Sequence, residues 1–363
     1  MVLGYLKRLD WILVGSMLGI IAIGLLTMGS SSRELFSRQL VWFVIGIAGF
    51  IIASLLDWRM IVNRRALLFS MYGVVIVLLL MTYFFAPEVR GTKGWLEIFG
   101  FNVQASEFAK ISLILLFAAF FARRHLAIGR PLTIIISFAY LVPISFLILL
   151  QPDLGGALVL FGLWMSFLLV SGIPLRPLLS IIAVVLILGA IGWFYGLEDY
   201  HKARITGFLY PETQTLGINY QITQAKIAVG SAGFFGKGFG QGSQVRLGFL
   251  PDALTDFISA AFIEEWGFVG GAVLILLVTL LFARLLMIGN AARENVSRFI
   301  CLGVASAFLL NAAINIGSAI GLIPVIGVPF PLLSYGGSNL LTFCVLLGIV
   351  QSIAKQRETA IFQ

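Results

Sequence analysis

Residues 217–270 read GINYQITQAKIAVGSAGFFGKGFGQGSQVRLGFLPDALTDFISAAFIEEWGFVG. The stretch passes from a polar, glycine-rich segment to Asp256 and then straight into a long apolar run. A carboxylate at the mouth of such a run sits where water, membrane and protein meet. The composition of the rest of the chain supports that reading. Of its 363 residues 60% are hydrophobic and 11% charged, and the mean hydropathy is +1.04. Soluble domains have about 45–50% apolar and about 25% charged residues, so the expected fold is an all-α polytopic membrane protein.

A helix needs about 20 mainly apolar residues to cross a bilayer. Ten candidate spans follow: 11–29, 39–56, 66–86, 106–122, 132–150, 154–171, 177–196, 257–285, 298–321 and 335–354. The first follows Lys7 and Arg8 as a signal peptide would, but it is long and has no clear small-residue cleavage site, so it reads as an anchor. No repeat and no Gly/Ser- or Pro-rich linker divides the chain, and 1–363 reads as one membrane domain. A long extracytoplasmic loop, 197–256, joins spans seven and eight.

Basic residues set the orientation. With the N-terminus inside, the inner side holds 14 of them: Lys7, Arg8, Arg59, Arg64, Arg65, Arg123, Arg124, Arg130, Arg176, Arg284, Arg293, Arg298, Lys355 and Arg357. The short outer loops hold 4, Arg33, Arg38, Arg90 and Lys93. This positive-inside bias places both termini in the cytoplasm and the long loop outside. The net charge of +8 therefore concerns orientation and anionic membrane lipids, not nucleic acid. Cys301 and Cys344 lie in apolar runs and read as packing residues, and His125 and His201 are far apart, so no Cys/His metal cluster is visible.

Charges are costly within a membrane, and each one is a functional candidate. Glu107 and Lys110 open span four at i,i+3 spacing, on one helix face where they can pair. Asp153, in QPDLGG, lies at the turn between spans five and six. Asp256 opens span eight. All four fall near the outer surface, which suggests one polar cavity. A structural ion pair and a helix-capping aspartate explain the first three equally well. Glu264 and Glu265 lie two turns further along span eight, where a hydrogen-bonding role is at least as well supported as chemistry.

Within the long loop, Ile218, Ile222, Ala225 and Val229 form an apolar stripe at helical spacing, with Tyr220, Gln221, Gln224 and Lys226 as polar neighbours. This suits a short helix at the membrane interface, or one that merely caps the bundle. GSAGFFGKGFGQGSQ follows. Its glycines allow turns whose N–H groups cradle an anion, and Lys237 and Arg246 add charge; a flexible hinge is the plainer reading. It is no Walker A loop, since Ser231 and Gly238 stand where Gly and Ser or Thr are required. IPVIGVPFPLLSYGGS (323–338) has three prolines and a turn at Ser334. Such backbone at membrane depth has to be buried or line a cavity.

QPDLGGALV, YQITQAKIAVGSAGFFGKG, FLPDALTDF, the following EEWG and PLLSYGGS together resemble the signatures of the SEDS family, which includes RodA and FtsW. The resemblance covers the whole chain in span number, topology and motif order, and ARITGFLYPETQTLGINYQ and PVIGVP look closer to RodA. It implies a peptidoglycan glycosyltransferase that polymerises lipid II for cell elongation and shape, working beside a class B penicillin-binding protein. It also implies that Asp256 is the essential acid, with Glu107, Lys110 and Asp153 lining the cavity. Three positions depart from the family pattern: Leu254 replaces a His, Ala105 a Pro, and Gly94 an Arg, for which Lys93 is a substitute one position early.

The resulting expectation is that Asp256 acts as general base on a sugar hydroxyl. Lys110, Lys237 or Arg246 would neutralise the departing diphosphate, and Tyr220, Gln224 and Ser334 complete the substrate-binding set. A divalent cation, Mg or Mn, held by Asp153 or Glu107 is the alternative. Two other classes compete with the enzyme, a lipid II flippase or other transporter and a non-catalytic scaffold of the cell-wall machinery. From the residues alone, enzyme and transporter are almost evenly matched.

Overall fold

A computed structural model describes residues 8–88, 91–98, 100–124, 128–196, 199–210 and 218–359. Lys7, Arg90, His125 and loop residues 197–198 and 211–217 lie outside the described residues.

The apolar runs form helices, with breaks where capping residues occur. α1 (Trp11–Ser31) starts on Asp10, whose Oδ1 accepts from Leu13 N, and α2 (Arg33–Leu55) starts on Ser32, which accepts from Leu35 N. Each cap satisfies one of the N–H groups left free at a helix start. A short α3 (Trp58–Asn63) precedes α4 (Arg65–Phe85). A hairpin, β1 (Trp95–Ile98) and β2 (Phe101–Gln104), pairs Trp95 with Gln104 and leads into α5 (Ala105–Arg124). Next come α6 (Pro131–Leu149), α7 (Leu154–Val170) and α8 (Leu175–Ile191), the last ending in a π-helical turn at Gly192–Gly196. The long loop carries α9 (Asp199–Leu209), α10 (Ile218–Gly230) and α11 (Ser243–Arg246). α12 (Ile258–Ala291), α13 (Asn295–Ala319) and α14 (Gly337–Thr359) complete the bundle.

Among the described residues nine helices are long and apolar enough to cross a membrane. α7, of 17 residues, is the short tenth, and the chain is an all-α, multi-pass membrane protein. α5 and α14 form the buried centre. α8, by contrast, has no buried residue. The end carrying α9–α11 is the loop end. The opposite end is closed by Arg284, whose guanidinium grips Asp10 through bonds of 2.9, 2.9 and 2.7 Å.

α12 is two helical segments. At Gly267 the backbone takes φ 67°, ψ −161°, a region essentially restricted to glycine. The break frees the carbonyls of Glu264 and Glu265 and the N–H groups of Phe268 and Val269. Residues 233–238 fill the gap: Lys237 N donates to Glu264 O, Gly238 N to Glu265 O, Phe268 N to Gly233 O and Val269 N to Phe234 O. The loop thus replaces the missing helical rungs, as broken backbone at membrane depth requires. The glycine-rich segment is a splice, not a free hinge.

Ile222, Ala225 and Val229 of the α10 stripe face protein. Ile222 and Ala225 are buried with Leu250, Phe257, Ala260, Ala319 and Val325, so α10 caps the bundle. The segment 320–336 enters the bundle as irregular backbone. A Cβ on Gly24, a mid-helix residue of α1, would collide with Leu333 O, which places Leu333 well inside the end of α1. Its last part is tied down by bonds of its own: Leu333 N and Ser334 N bond Phe330 O, Phe330 N bonds Ser334 Oγ, and Gly336 N bonds Gln39 Oε1.

Candidate active site

Asp256 closes a turn at the start of α12, where the N–H groups of Thr255, Asp256 and Phe257 all converge on Asp252 O. Four contacts from three distant elements hold that turn. Gln221 Nε2 of α10 donates to Asp252 Oδ2 at 2.9 Å. Tyr335 N donates to Leu254 O at 2.9 Å. Ser334 Oγ donates to Thr255 O at 2.5 Å. Asn315 Nδ2 of α13 donates to Asp256 O at 3.0 Å. Asp256 itself is half-buried, and its Oδ2 is 4.0 Å from where a Cβ on Gly327 would lie.

The second cluster lies on α5. Lys110 Nζ pairs with Glu107 Oε1 at 2.7 Å and donates to Asn311 Oδ1 at 3.1 Å; both ionised side chains are buried. Asn339 Nδ2 donates to Glu107 Oε2 at 3.2 Å, and the Lys110 ammonium lies 5.5 Å from the Phe343 ring centre. Asp153 caps α7, accepting from Gly156 N at 2.7 Å, with Ser106 Oγ and Gln104 Nε2 each 3.3 Å from Oδ2. Burial pushes the Asp153 carboxyl above the ordinary carboxylate value, against the opposing pull of the Gly156 N–H.

The two clusters meet at residues 326–328. A Cβ on Gly155, in the first turn of α7, would collide with Ile326 O. Gly327 neighbours the Asp256 carboxylate, and Val328 O accepts from the same Asn315 amide that holds Asp256. The capped start of α7 at Asp153 and the carboxylate of Asp256 therefore flank one short stretch of chain.

The other predicted residues lie as follows. Lys237 bonds Glu264 Oε1 at 2.6 Å and Ser243 Oγ at 2.9 Å. Glu264 also receives Gln244 N, and Glu265 receives Ser30 Oγ and Gly240 N. The glycine-rich turns do cradle an anion, but it is the chain's own pair of carboxylates. Arg246 is exposed and bonds the neutral Gln241 at 3.1 Å. Ser334 spends its hydroxyl on the Thr255 carbonyl. Tyr220 and Gln224 are half-buried on α10. Leu254 is buried. Lys93 N donates to Gln151 O, which puts Lys93 beside the Asp153 turn.

Both oxygens of Glu107 are committed, and one faces an ammonium, so Glu107 does not fit a cation site. Among the described residues no three acidic, His or Cys side chains gather as metal ligands. Both oxygens of Asp153 are engaged too, but by neutral donors only, so of the two candidate ligands Asp153 alone keeps that capacity. Reasoning from charges missed the neutral partners Gln39, Gln104, Ser106, Asn311, Asn315 and Asn339. The spacing Asn311–Asn315, i,i+4 in an apolar helix, was the available signal.

A family model described as a cell cycle protein family, FTSW_RODA_SPOVE, matches residues 5–359. Peptidoglycan glycosyltransferase RodA of Treponema pallidum is 30% identical, over 95% of this chain and 97% of its own length. Peptidoglycan glycosyltransferase MrdB of Escherichia coli is 38% identical, over 79% and 78%. Among solved structures, one chain of a peptidoglycan synthase complex that coordinates polymerization and crosslinking superposes with TM-score 0.84 at 29% identity, covering 96% and 98%. RodA of Thermus thermophilus gives 0.70 at 27%, covering 96% and 97%.

Proposed function

The chain belongs to the FtsW, RodA and SpoVE family of cell cycle proteins, and from that premise we propose that it is a peptidoglycan glycosyltransferase. It polymerises lipid II at the outer face of the bacterial cytoplasmic membrane for cell elongation and shape, with Asp256 as general base. The relatives support the enzyme class. The observation that supports Asp256 is its mounting: a half-buried carboxylate on a turn tied down at the backbone of Leu254, Thr255 and Asp256. A base has to be held within reach of the proton it takes.

In this reading Asp256 accepts the proton of an acceptor-sugar 4-hydroxyl as its oxygen attacks the anomeric carbon of the donor. The bond to the lipid diphosphate breaks, and its electron pair leaves with the phosphate. One displacement inverts the α-linked donor to a β-1,4 link, so a single base suffices. Charge on the leaving diphosphate needs a cation. Lys237 is committed to Glu264, and Lys110 has one of its three donors left. Arg246, exposed and bonded only through a neutral amide among the contacts described above, is the least committed of the three. A Mg or Mn ion would find one ligand here, Asp153.

The positive-inside bias supports a cytoplasmic position for both termini and an outer position for the loop end. The likeness to a polymerization and crosslinking complex supports a class B penicillin-binding protein as partner. An apolar groove of about 700 Å³ on α12, lined by Val229, Ile263, Phe268, Ile275 and Leu276, suits docking of a partner's membrane helix on span eight. The test is polymerisation of labelled lipid II by the purified chain with and without that partner. Polymer made only when this chain is present supports the reading. Its absence beside an active partner returns the flippase and scaffold readings.

A further inference from the structure

We infer that Asn315 is a positioning residue for the base, and that Asn311 and Asn315 make one face of α13 the common mount for both halves of the site. The inference rests on the reading of Asp256 as base. Asn315 is fully buried. Its Nδ2 donates to Asp256 O and to Val328 O, both at 3.0 Å, and Ser259 Oγ lies 3.5 Å from its Oδ1. Both acceptors are carbonyls, so the nitrogen has to face them and the orientation of the amide is fixed. One side chain thus ties the Asp256 backbone to the 326–328 stretch that flanks Asp153.

Asn311, four residues earlier, lies on the same helix face about 6 Å away along the axis. It is fully buried, its Oδ1 accepts from Lys110 Nζ at 3.1 Å, and its Nδ2 donates to Ala307 O at 2.7 Å. A carboxylate base and the buried Glu107–Lys110 pair are therefore referenced to one rigid helix. Two buried amides in a membrane helix are costly unless every donor is used. Here both bonds donated by Asn315 fix parts of the site, while Asn311 is held by its own helix and presents its oxygen to Lys110. Misplacement of a base by a fraction of an ångström acts on the chemical step and not on substrate capture.

The experiment compares wild type, Asp256→Asn and Asn315→Ala as full-length chains with their class B partner. Labelled lipid II is bound first, sites per chain and Kd are recorded, and the single-turnover rate is then measured. Asn315→Ala is expected to keep sites per chain and Kd within about twofold of wild type while the rate per bound lipid II falls at least about tenfold. A merely structural role would lower the number of sites and leave the rate per site unchanged, and that result overturns the inference. If Asn315→Ala binds no lipid II, the near-isosteric Asn315→Leu, which lacks both donors, carries the same comparison. A fully active Asp256→Asn would instead overturn the base assignment itself. An inactive Asp256→Asn beside an unaltered Asn315→Ala would overturn only the positioning role.

Discussion

Gly236 and Gly267 meet backbone to backbone. A Cβ on Gly267 would collide with Gly236 N and Phe234 O, and a Cβ on Gly236 would collide with Glu265 O. Both residues also have positive φ, 81° and 67°. Alanine at either position is strained twice, by its own backbone and by the opposing chain. Gly267→Ala is expected to cost at least about 2 kcal/mol and to lower the melting temperature of the detergent-solubilised protein. A control, Gly73→Ala, has open space around its Cβ and should not.

The splice has an electrostatic clip as well. The Glu264 side chain is 0% exposed and its Lys237 partner 27%. Removing one member of a buried pair leaves an uncompensated charge, at a typical cost of about 3–5 kcal/mol. Gln244 N and Ser243 Oγ remain on the carboxylate, so Lys237→Met belongs near the lower end. Lys237→Met combined with Glu264→Gln should recover part of that loss in the same melting assay.

The Glu107–Lys110 pair separates stability from activity. Lys110→Met strands a buried carboxylate and is expected to destabilise by about 3 kcal/mol. The double variant Glu107→Gln, Lys110→Met removes both charges and should regain stability without regaining polymerisation. Regained activity in the double variant would show that the pair is structural only.

Asp153 gives a pH dependence with a defined sign. Its folded-state pKa lies above the ordinary value of 3.8. As pH rises, the unfolded chain therefore releases this proton first, and the folded state bears the cost of charging the half-buried group. The contribution is fully present below the ordinary value of 3.8 and is lost as pH rises toward the folded value. An Asp153→Asn variant keeps a side-chain oxygen to cap α7 but does not titrate. The melting temperature of Asp153→Asn relative to wild type should thus rise as pH is raised from about 4. A gap independent of pH would contradict the raised pKa.

The helices were legible because apolar length and capping residues such as Asp10 and Ser32 are local signals. So was the placing of Glu107, Asp153 and Asp256 at one end, since all three lie near the same ends of their spans. The partners of Lys237 and Ser334 were not legible. Lys237 meets Glu264 only because α12 breaks at Gly267, and nothing within EEWGFVG announces that another part of the chain replaces its rungs. Asn315 and Asn311 went unread because a search for charge passes over neutral amides, although a buried amide must be satisfied just as a charge must. α8, among the more apolar spans, gave no sign that it would stand clear of the core.

Lipid II polymerisation by wild type and by Asp256→Asn, each with the class B partner present and each checked for folding by its melting transition, tests the central claim most directly. Asn315 holds the main-chain carbonyl of Asp256, a contact that the substitution leaves in place. The folded variant is expected to lose at least about 100-fold in rate. Polymer formed by Asp256→Asn at the wild-type rate would contradict the account.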